Sequence, residues 1–200
     1  MKTLKLYITE ALHVNRNTKI IEHNYHPKTK HELNELIYKL IKERGINADL
    51  NDIDTSEITD MSYVFYMTKF NGDISEWDVS NVKDMEIMFG QSEFNGDISK
   101  WDVSNVVNMR SVFYGSKFNE DISNWDVSKV ENMSSMFNES NFNGDISKWN
   151  TSNVINMSYM FEDSKFNGDI SNWDVSKVVN MRDMFDDCPL EKNPPKWYKK

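Results

Sequence analysis

Hydrophobic residues recur along this chain with a period of 24 residues. The clearest copy reads FNGDISEWDVSNVKDMEIMFGQSE over residues 70–93, and four further copies follow without insertion or deletion. A more divergent copy over 46–69 has Ile53 in the place of the tryptophan. Self-similarity at a fixed period is typical of repeat proteins, in which each unit completes its hydrophobic core by stacking on its neighbours.

The apolar positions of each copy, numbered 1 to 24 from the phenylalanine, predict two short elements. Positions 5, 8 and 10 (Ile98, Trp101 and Val103 in one copy) have the spacing of leucine-rich repeats, which predicts a parallel strand over positions 6–10. Positions 13, 16, 19 and 20 have helical spacing, and the serine at position 11 stands where it would cap a helix. We therefore predict an α/β fold: a leucine-rich-repeat-like solenoid of six 24-residue repeats with short parallel strands and short helices, capped at both ends.

Four segments follow from this pattern: an N-terminal extension over 1–28, an N-terminal capping helix over 29–45, the six-repeat solenoid over 46–189, and a truncated seventh repeat over 190–200 that acts as the C-terminal cap. Thr29 and Glu32 form a capping box for the first helix, and Gly45 ends it. In the last segment Trp197 keeps the tryptophan spacing. The alternative for this segment is a frayed terminus in which the spacing is accidental.

Two further positions carry structural expectations. Asparagine occupies position 2 in every copy, which predicts a ladder of stacked side-chain amides. Glycine at position 3 predicts a turn with a positive φ, although Ala48 and Glu120 break the rule. Most of the methionines fall at positions 16 and 19, where core packing explains them better than a soft-metal site.

Charge and composition narrow the classes of function. The net charge is −9, and residues 46–189 carry most of the acidic side chains, so binding to nucleic acid is disfavoured. No stretch approaches the ~20 apolar residues of a membrane span. The N-terminus lacks the features of a secretory signal, which leaves the compartment open between the cytoplasm and a phage-associated location. The single cysteine, Cys188, excludes an intramolecular disulfide.

Columns of acidic side chains are the main candidate sites. Aspartate recurs at position 4, where stacking would bring like charges together, so either calcium binds between copies or each side chain bonds its own turn; we favour the turn. The weak calcium candidates are Asp73, Asp97, Asp121, Asp145 and Asp169. Positions 7 and 9 point outward and could form an acidic partner-binding face, or position 9 could cap the following turn. The candidate face comprises Asp54, Glu76, Asp78, Lys100, Asp102, Asn124, Asp126, Lys148, Asn150, Asn172 and Asp174.

We find no pattern that predicts an enzyme, a cofactor or a metal centre. The four histidines lie at 13, 23, 26 and 31, outside the repeats, so none can activate the many repeat serines. His23 and His26 have a metal-compatible spacing but no accompanying ligand motif. Cys188 takes a place that is otherwise serine or threonine, which indicates a packing role.

The motif FNGDISKWDVSNV followed by NM and MF resembles the BspA-like leucine-rich-repeat proteins, found among bacterial surface proteins and mycoplasma lipoproteins. The resemblance covers residues 46–189 and implies a non-enzymatic adhesion or protein-binding role with an unidentified protein partner. A weaker resemblance links MKTLKLYITEA, with Ile8, Thr9 and Glu10 at its processing site, to capsid-targeting leaders of tailed-phage internal proteins. The alternatives are therefore a virion-associated structural protein docked through its basic N-terminal segment, and a calcium-stabilised binding module.

Overall fold

The computed structural model of the protein describes residues 22–199, and within them each 24-residue copy forms one coil built from turns. One α-helix, α1 (Lys30–Arg44), and one 3-10 helix (Pro189–Glu191) are the helices of this part of the chain. Its β-structure consists of isolated parallel bridges. The predicted α/β class, a leucine-rich-repeat-like solenoid with short parallel strands and short helices, is therefore wrong: no copy contains a helix or a strand over residues 46–188.

The copies stack in register, one above the next. We number them coils 1 to 6, which span 46–69, 70–93, 94–117, 118–141, 142–165 and 166–189. Parallel bridges join residues 24 apart, as between Asp84 and Asn108 and between Asn108 and Asn132. Every coil thus uses its neighbour to complete its interior, as the repeat period predicted.

Positions 16 to 23 cannot form an α-helix because two of their residues have a positive φ. In coil 4 these are Ser135 at position 18 (φ 53°) and Glu139 at position 22 (φ 54°). The same two positions are left-handed in all the other coils. A left-handed residue every few positions interrupts a right-handed helix. The helical spacing of the apolar residues therefore has another origin, namely turns that direct every third or fourth side chain inward.

The backbone amides of this segment alternate between two kinds of acceptor. The amides at even positions donate to the next coil: Ser135 to the carbonyl of Ser158 (2.8 Å) and Phe137 to that of Met160 (2.9 Å). The intervening amides close turns within the coil, as Asn138 does with the carbonyl of Ser135 (3.2 Å). In coil 4 every amide from Met133 to Ser140 has an acceptor without a helix or a strand ladder, so turns can replace both elements.

Turns also replace the predicted strand at positions 6–10. The Trp125 amide donates to the Ile122 carbonyl at 3.1 Å, and the Val130 amide donates to the Val127 carbonyl at 3.0 Å. The serine at position 11 caps no helix. Instead, its backbone N–H donates to the carboxylate at position 9, as Ser128 does to Asp126 at 3.0 Å.

The tryptophans form a single file inside the stack, as their spacing predicted. The rings of Trp77 and Trp101 are 6.4 Å apart and nearly parallel, and so are those of Trp149 and Trp173. Each indole N–H donates to the position-5 carbonyl of the preceding coil at 3.0 to 3.2 Å. These side chains are only 4% exposed, so each bond is made away from water.

Two expectations about the turn at positions 2 and 3 need correction. Among the described glycines only Gly45 and Gly115 have a positive φ. At Gly96 a Cβ atom would lie 2.8 Å from the ring of Phe94, so the close approach of backbone to ring, not φ, favours glycine there. The asparagines do link the coils, but Asn95 Oδ1 accepts the backbone N–H of Asn119 (2.7 Å) and not a side-chain amide.

Helix α1 lies at the N-terminal end of the stack. Leu33, Ile37 and Leu40 are buried in the same core as coil 1. Thr29 Oγ1 accepts the amide of Glu32 (3.2 Å), as the capping box predicted. The Glu32 carboxylate accepts the amide of Lys28 (2.7 Å), one residue earlier than a capping box requires.

Candidate functional site

The predicted partner-binding positions of coils 2 to 6 all lie on the surface. Positions 7 and 9 flank the buried tryptophan at position 8, and every one of their side chains is exposed. We call this surface the acidic face; its residues are Glu76, Asp78, Lys100, Asp102, Asn124, Asp126, Lys148, Asn150, Asn172 and Asp174. Side chains at positions 7 to 9 therefore alternate between exposed and buried, as expected for a strand, although the backbone forms a turn.

Each position-9 side chain also closes the turn that follows it. Asp78 Oδ1 accepts the amide of Ser80 at 3.0 Å, and Asn150 Oδ1 accepts the amide of Ser152 at 3.2 Å. Asp102, Asp126 and Asp174 make the same bond at 2.9 to 3.1 Å. The two interpretations of position 9 are therefore compatible, because a side chain can bond its turn and still face solvent.

The local bonds lower the pKa values of two of these carboxylates, Asp126 and Asp174. Hydrogen bonds from Ser128 lower the pKa of Asp126, and Lys129 lowers it further. Hydrogen bonds from Ser176 lower the pKa of Asp174 in the same way. None of the ion pairs found in residues 22–199 involves Asp78, Asp102, Asp126 or Asp174. The file of charges is thus available to a cationic partner.

Asp54, the coil 1 member of the predicted site, lies in a different environment. It is half-buried, and its carboxylate accepts both the amide of Ser56 (3.1 Å) and the Ser56 hydroxyl (2.6 Å). His26 Nδ1 lies 3.2 Å from its other oxygen. The bonds from Ser56 dominate in lowering the pKa of Asp54 to about 2. This residue therefore belongs to an internal contact and not to the acidic face.

That contact is made by residues 24–28, which we call the strap. Tyr25 forms a parallel bridge with Ile53, the residue in the tryptophan place of coil 1. The amide of Asn24 donates to the carbonyl of Asp52, and the amide of Asp54 donates to the carbonyl of Tyr25, both at 2.8 Å. The strap thus takes the place of a coil preceding coil 1. It pairs residues 28 apart, outside the repeat period, so the repeat pattern alone could not reveal it.

Basic residues fasten the strap and α1 to the acidic edge of coil 1. Arg44 donates to both carboxylate oxygens of Asp52 at 2.9 Å, and its guanidinium lies 5.6 Å from the centre of the Tyr25 ring. Lys28 pairs with Glu57, and Lys30 pairs with Asp60 at 2.9 Å. The opposite charges of the N-terminal region and coil 1 were the one sequence signal that could have indicated this contact.

The weak calcium candidates at position 4 are all engaged by their own turns. Asp73, Asp97, Asp121, Asp145 and Asp169 each accept the amide two residues on at 2.9 Å. Hydrogen bonds from Ser99 and Ser123 lower the pKa values of Asp97 and Asp121. Across the described part of the chain, no three His, Cys, Asp or Glu side chains are grouped so that they could hold a metal ion. The geometry favours the turn interpretation.

The remaining sequence candidates are placed as follows. The rings of His23 and His26 are 6.4 Å apart and perpendicular. Cys188 is buried, and desolvation by burial raises the pKa of its thiol, which opposes its use as a nucleophile. His13 and the leader residues Ile8, Thr9 and Glu10 lie outside the described residues.

A second exposed surface, along position 22 and joined in coil 1 by positions 18 and 21, escaped the sequence analysis because a helix was expected there. At its N-terminal end the rings of Tyr63 and Tyr66 meet edge to face, 5.8 Å apart, beside the exposed Met67. Glu86 accepts from the Tyr63 hydroxyl (3.3 Å) and from Arg110 (2.7 Å). The side chains differ from coil to coil, so this surface is less regular than the acidic face.

Comparison with known proteins gives one match. The family model described as "Mycoplasma protein of unknown function, DUF285" matches residues 33–141 and again 114–198. Two overlapping matches are what a repeated sequence produces. No curated protein and no solved structure matched. As to the membrane, the helices found between residues 22 and 199 are too short or too polar to cross a bilayer.

Proposed function

The chain belongs to the family described as "Mycoplasma protein of unknown function, DUF285", and from this starting point we propose that it is a non-enzymatic repeat scaffold that binds another protein through its acidic face. The partner carries a complementary, cationic surface. Association is steered by the carboxylates at position 9, and the residues at position 7 provide selectivity.

One observation carries this proposal: a file of exposed, ionised carboxylates on a framework whose buried positions hardly change. Position 9 is aspartate in coils 2, 3, 4 and 6, whereas position 7 alternates among glutamate, lysine and asparagine. Because the turns already order these side chains, a partner does not have to order them on binding. A preorganised, regular file of charges suits a macromolecule better than a small ligand.

The resemblance of the repeat to the BspA-like proteins supports an adhesion-like role. That group includes bacterial surface proteins and mycoplasma lipoproteins, and the family match points to mycoplasma proteins as well. The resemblance is carried by the repeat motif, FNGDIS through MF, and says nothing about the identity of the partner. The exposed positions must supply the specificity.

The test replaces four position-9 aspartates together: Asp78→Asn, Asp102→Asn, Asp126→Asn and Asp174→Asn. Asn150 occupies this position naturally and makes the same turn bond (3.2 Å), so the variant should fold as the parent does. Wild type and variant are immobilised and exposed to mycoplasma and host-cell protein extracts. We expect proteins that the wild type retains at low salt, releases at high salt, and that the variant fails to retain.

A matched control carries the same change of charge at position 4: Asp97→Asn, Asp121→Asn, Asp145→Asn and Asp169→Asn. These residues also accept an amide two residues on, so the turns should persist. The control should retain the same proteins as the wild type. Identical retention by all three proteins, or equal loss in both variants, would show that the acidic face is not the binding surface.

A further inference from the structure

Residues 22–199 cover the C-terminal end of the stack over only part of its width. The truncated seventh copy lies on positions 1 to 8 of coil 6, where the indole N–H of Trp197 donates to the carbonyl of Ile170 at 3.0 Å. Tyr198 then packs edge-on against the ring of Phe185, with 4.8 Å between the ring centres. Beyond these contacts, residues 175–187 form the outer rim of the stack; we call this segment the coil 6 edge.

The coil 6 edge carries backbone donors that every other coil uses for stacking. In coil 5, the amides at positions 16, 18, 20 and 22 donate to coil 6 at 2.9 to 3.0 Å; the donors are Met157, Tyr159, Phe161 and Asp163. Their counterparts in coil 6 are Met181, Asp183, Phe185 and Asp187. None of these four amides has an acceptor within residues 22–199. Phe185 is fully buried, so its amide is also withdrawn from water.

Side chains that are core elsewhere are partly uncovered at the same edge. In coil 4, Val127, Val130 and Met133 are at most 1% exposed. The equivalent residues of coil 6, Val175, Val178 and Met181, are half-buried. Val179 is 82% exposed. Unpaired donors and uncovered apolar side chains therefore coincide along one strip.

We propose that the coil 6 edge binds an extended segment of a partner protein, which adds to the stack along residues 175–187. The segment supplies carbonyl oxygens at alternate residues, as Asn180, Arg182, Met184 and Asp186 supply them to coil 5. It places apolar side chains three residues apart over Val175, Val178 and Met181. It carries no net negative charge, because Asp183, Asp186 and Asp187 line the same edge. Addition of an extended segment to an open edge is a known mode of peptide recognition.

A second copy of this chain does not fit the edge. Two C-terminal ends facing each other would oppose donors to donors. In a head-to-tail arrangement, coil 1 would have to approach coil 6 to the ~4.8 Å spacing of paired backbones. Helix α1, about 10 Å across, lies at that end of the stack with Leu33, Ile37 and Leu40 buried in the core. The occupant is therefore a segment that is free of such a cap.

The coil 6 edge contains no proline that would keep it from pairing. Proline interrupts edge pairing because it has no N–H, and inward-pointing charges have a similar effect. Pro194 and Pro195 lie in the truncated copy, over positions 5 and 6, and residues 175–187 contain no proline. The prolines therefore cover positions 5 and 6 of coil 6 and do not extend to the coil 6 edge.

The experiment uses a defined probe, the end-blocked peptide DVSNVVNMRSVFYGSK, residues 102–117, which is the last two thirds of coil 3 and has a net charge of +1. Amide hydrogen exchange of the full chain is followed by NMR. We expect the amides of Met181, Asp183 and Asp187 to slow by about tenfold at about 1 mM peptide, whereas the amide of Phe185, which is already buried, serves as an internal reference. The amides of Met157, Tyr159, Phe161 and Asp163, already paired, should not change.

Two controls make the result specific. The same peptide with Val103→Ser, Val106→Ser and Met109→Ser keeps the backbone and loses the apolar contacts, so it should not slow the amides of Met181, Asp183 and Asp187. In the protein, Val178→Lys should abolish the effect, whereas Val179→Lys should not, because Lys83 occupies that position naturally in coil 2. If Val178→Lys unfolds coil 6, the comparison of the two peptides on the wild-type chain decides the outcome.

Several outcomes would overturn the inference. The amides of Met181, Asp183 and Asp187 could fail to slow, or could slow equally with the serine-substituted peptide. They could be slow without peptide and respond to protein concentration, which would identify a second copy as the occupant. They could be slow at every concentration and become fast on deletion of residues 1–21, which would identify the N-terminal segment of the chain. None of these outcomes bears on the acidic face, which is a separate surface.

Discussion

The indole N–H of Trp197 donates to the carbonyl of Ile170 at 3.0 Å, the bond that Trp173 makes to Ile146 one coil earlier. The truncated copy thus repeats the interaction that joins complete coils. Trp197 is half-buried, whereas the tryptophans within the stack are only 4% exposed. The same bond is therefore made in two environments that differ chiefly in access to water.

Because the two tryptophans differ in burial, replacing each by phenylalanine should lower the free energy of unfolding by different amounts. Trp125→Phe should lower the free energy of unfolding by about 2 to 3 kcal/mol, because it leaves the buried carbonyl of Ile98 without its donor and removes part of a packed ring. Trp197→Phe should cost about 1 kcal/mol, since water can replace the indole. Urea unfolding measures both values. Equal losses for the two variants would contradict the role assigned to burial.

Acid should destabilise the protein in a defined pH range. Hydrogen bonds from Ser56 lower the pKa of Asp54 to about 2, and those from Ser99 and Ser128 lower the pKa values of Asp97 and Asp126. A carboxyl whose pKa falls on folding contributes stability above its unfolded value, near 3.9, and loses it as the pH falls through the folded value. The urea midpoint should therefore change little between about pH 7 and 5 and fall between about pH 4 and 2.

Asp54→Asn is the control for this pH dependence. It removes the carboxyl with the most strongly lowered pKa among these aspartates and retains an oxygen that can accept from Ser56. Its urea midpoint should fall less steeply below about pH 4 than that of the wild type. Superimposable pH curves for the two proteins would mean that Asp54 is not lowered in the folded state.

Removal of calcium should leave the stability unchanged. The position-4 aspartates, such as Asp121 and Asp145, each accept an amide of their own turn at 2.9 Å. A ligand that binds the folded state raises the melting temperature, so a protein without a calcium site shows no such shift. We expect melting temperatures in excess chelator and in calcium to agree within about 1 °C. A fall of several degrees in chelator, reversed by calcium, would restore the calcium-stabilised alternative.

Loss of Arg44 should loosen the strap. Arg44→Ala removes two bonds to Asp52 and the contact with the Tyr25 ring, and should lower the free energy of unfolding by about 1 to 2 kcal/mol. Limited trypsin digestion should also cut after Lys28 sooner than in the wild type, because the strap opens more often.

Arg110→Ala is the matched control for this prediction. Arg110 makes a single bond to Glu86 (2.7 Å) and is about half exposed, so its loss should cost no more than about 0.5 kcal/mol. Trypsin cleavage at the strap should be unaffected. Similar behaviour of the two variants would show that the strap does not depend on Arg44.

The sequence pattern predicted what depends on side chains that recur at a fixed interval. The 24-residue period places Trp77 beside Trp101 because identical copies pack in register, and the same argument places Trp197 over coil 6. Alternation around Trp101 likewise placed Lys100 and Asp102 on the surface. Thr29 was recognised as a helix cap because capping is a local interaction between neighbouring residues.

The type of secondary structure was not predictable in this way. Ser135 and Tyr159 have a positive φ although neither residue type favours it, and no local signal distinguishes their turns from the helix that the apolar spacing indicated. The conformation is stabilised by amides that donate to the next coil, as Tyr159 donates to Arg182 at 2.9 Å. Those acceptors lie 23 residues away, so only the assembled stack specifies them.

By itself, the sequence determined the period, the buried positions and the outward columns of charge. Each of these depends on which residue types recur, since apolar side chains are buried and charged side chains stay in water. Only the tertiary structure decided that the coils are turns, that Asp54 is held by the strap, and that the amides of Met181 and Asp183 remain without acceptors in residues 22–199. The physical reason is that nearly every residue type carries the same backbone donor and acceptor, so the residue types do not specify which backbone groups bond between coils. The pairing is set only when one coil packs on another.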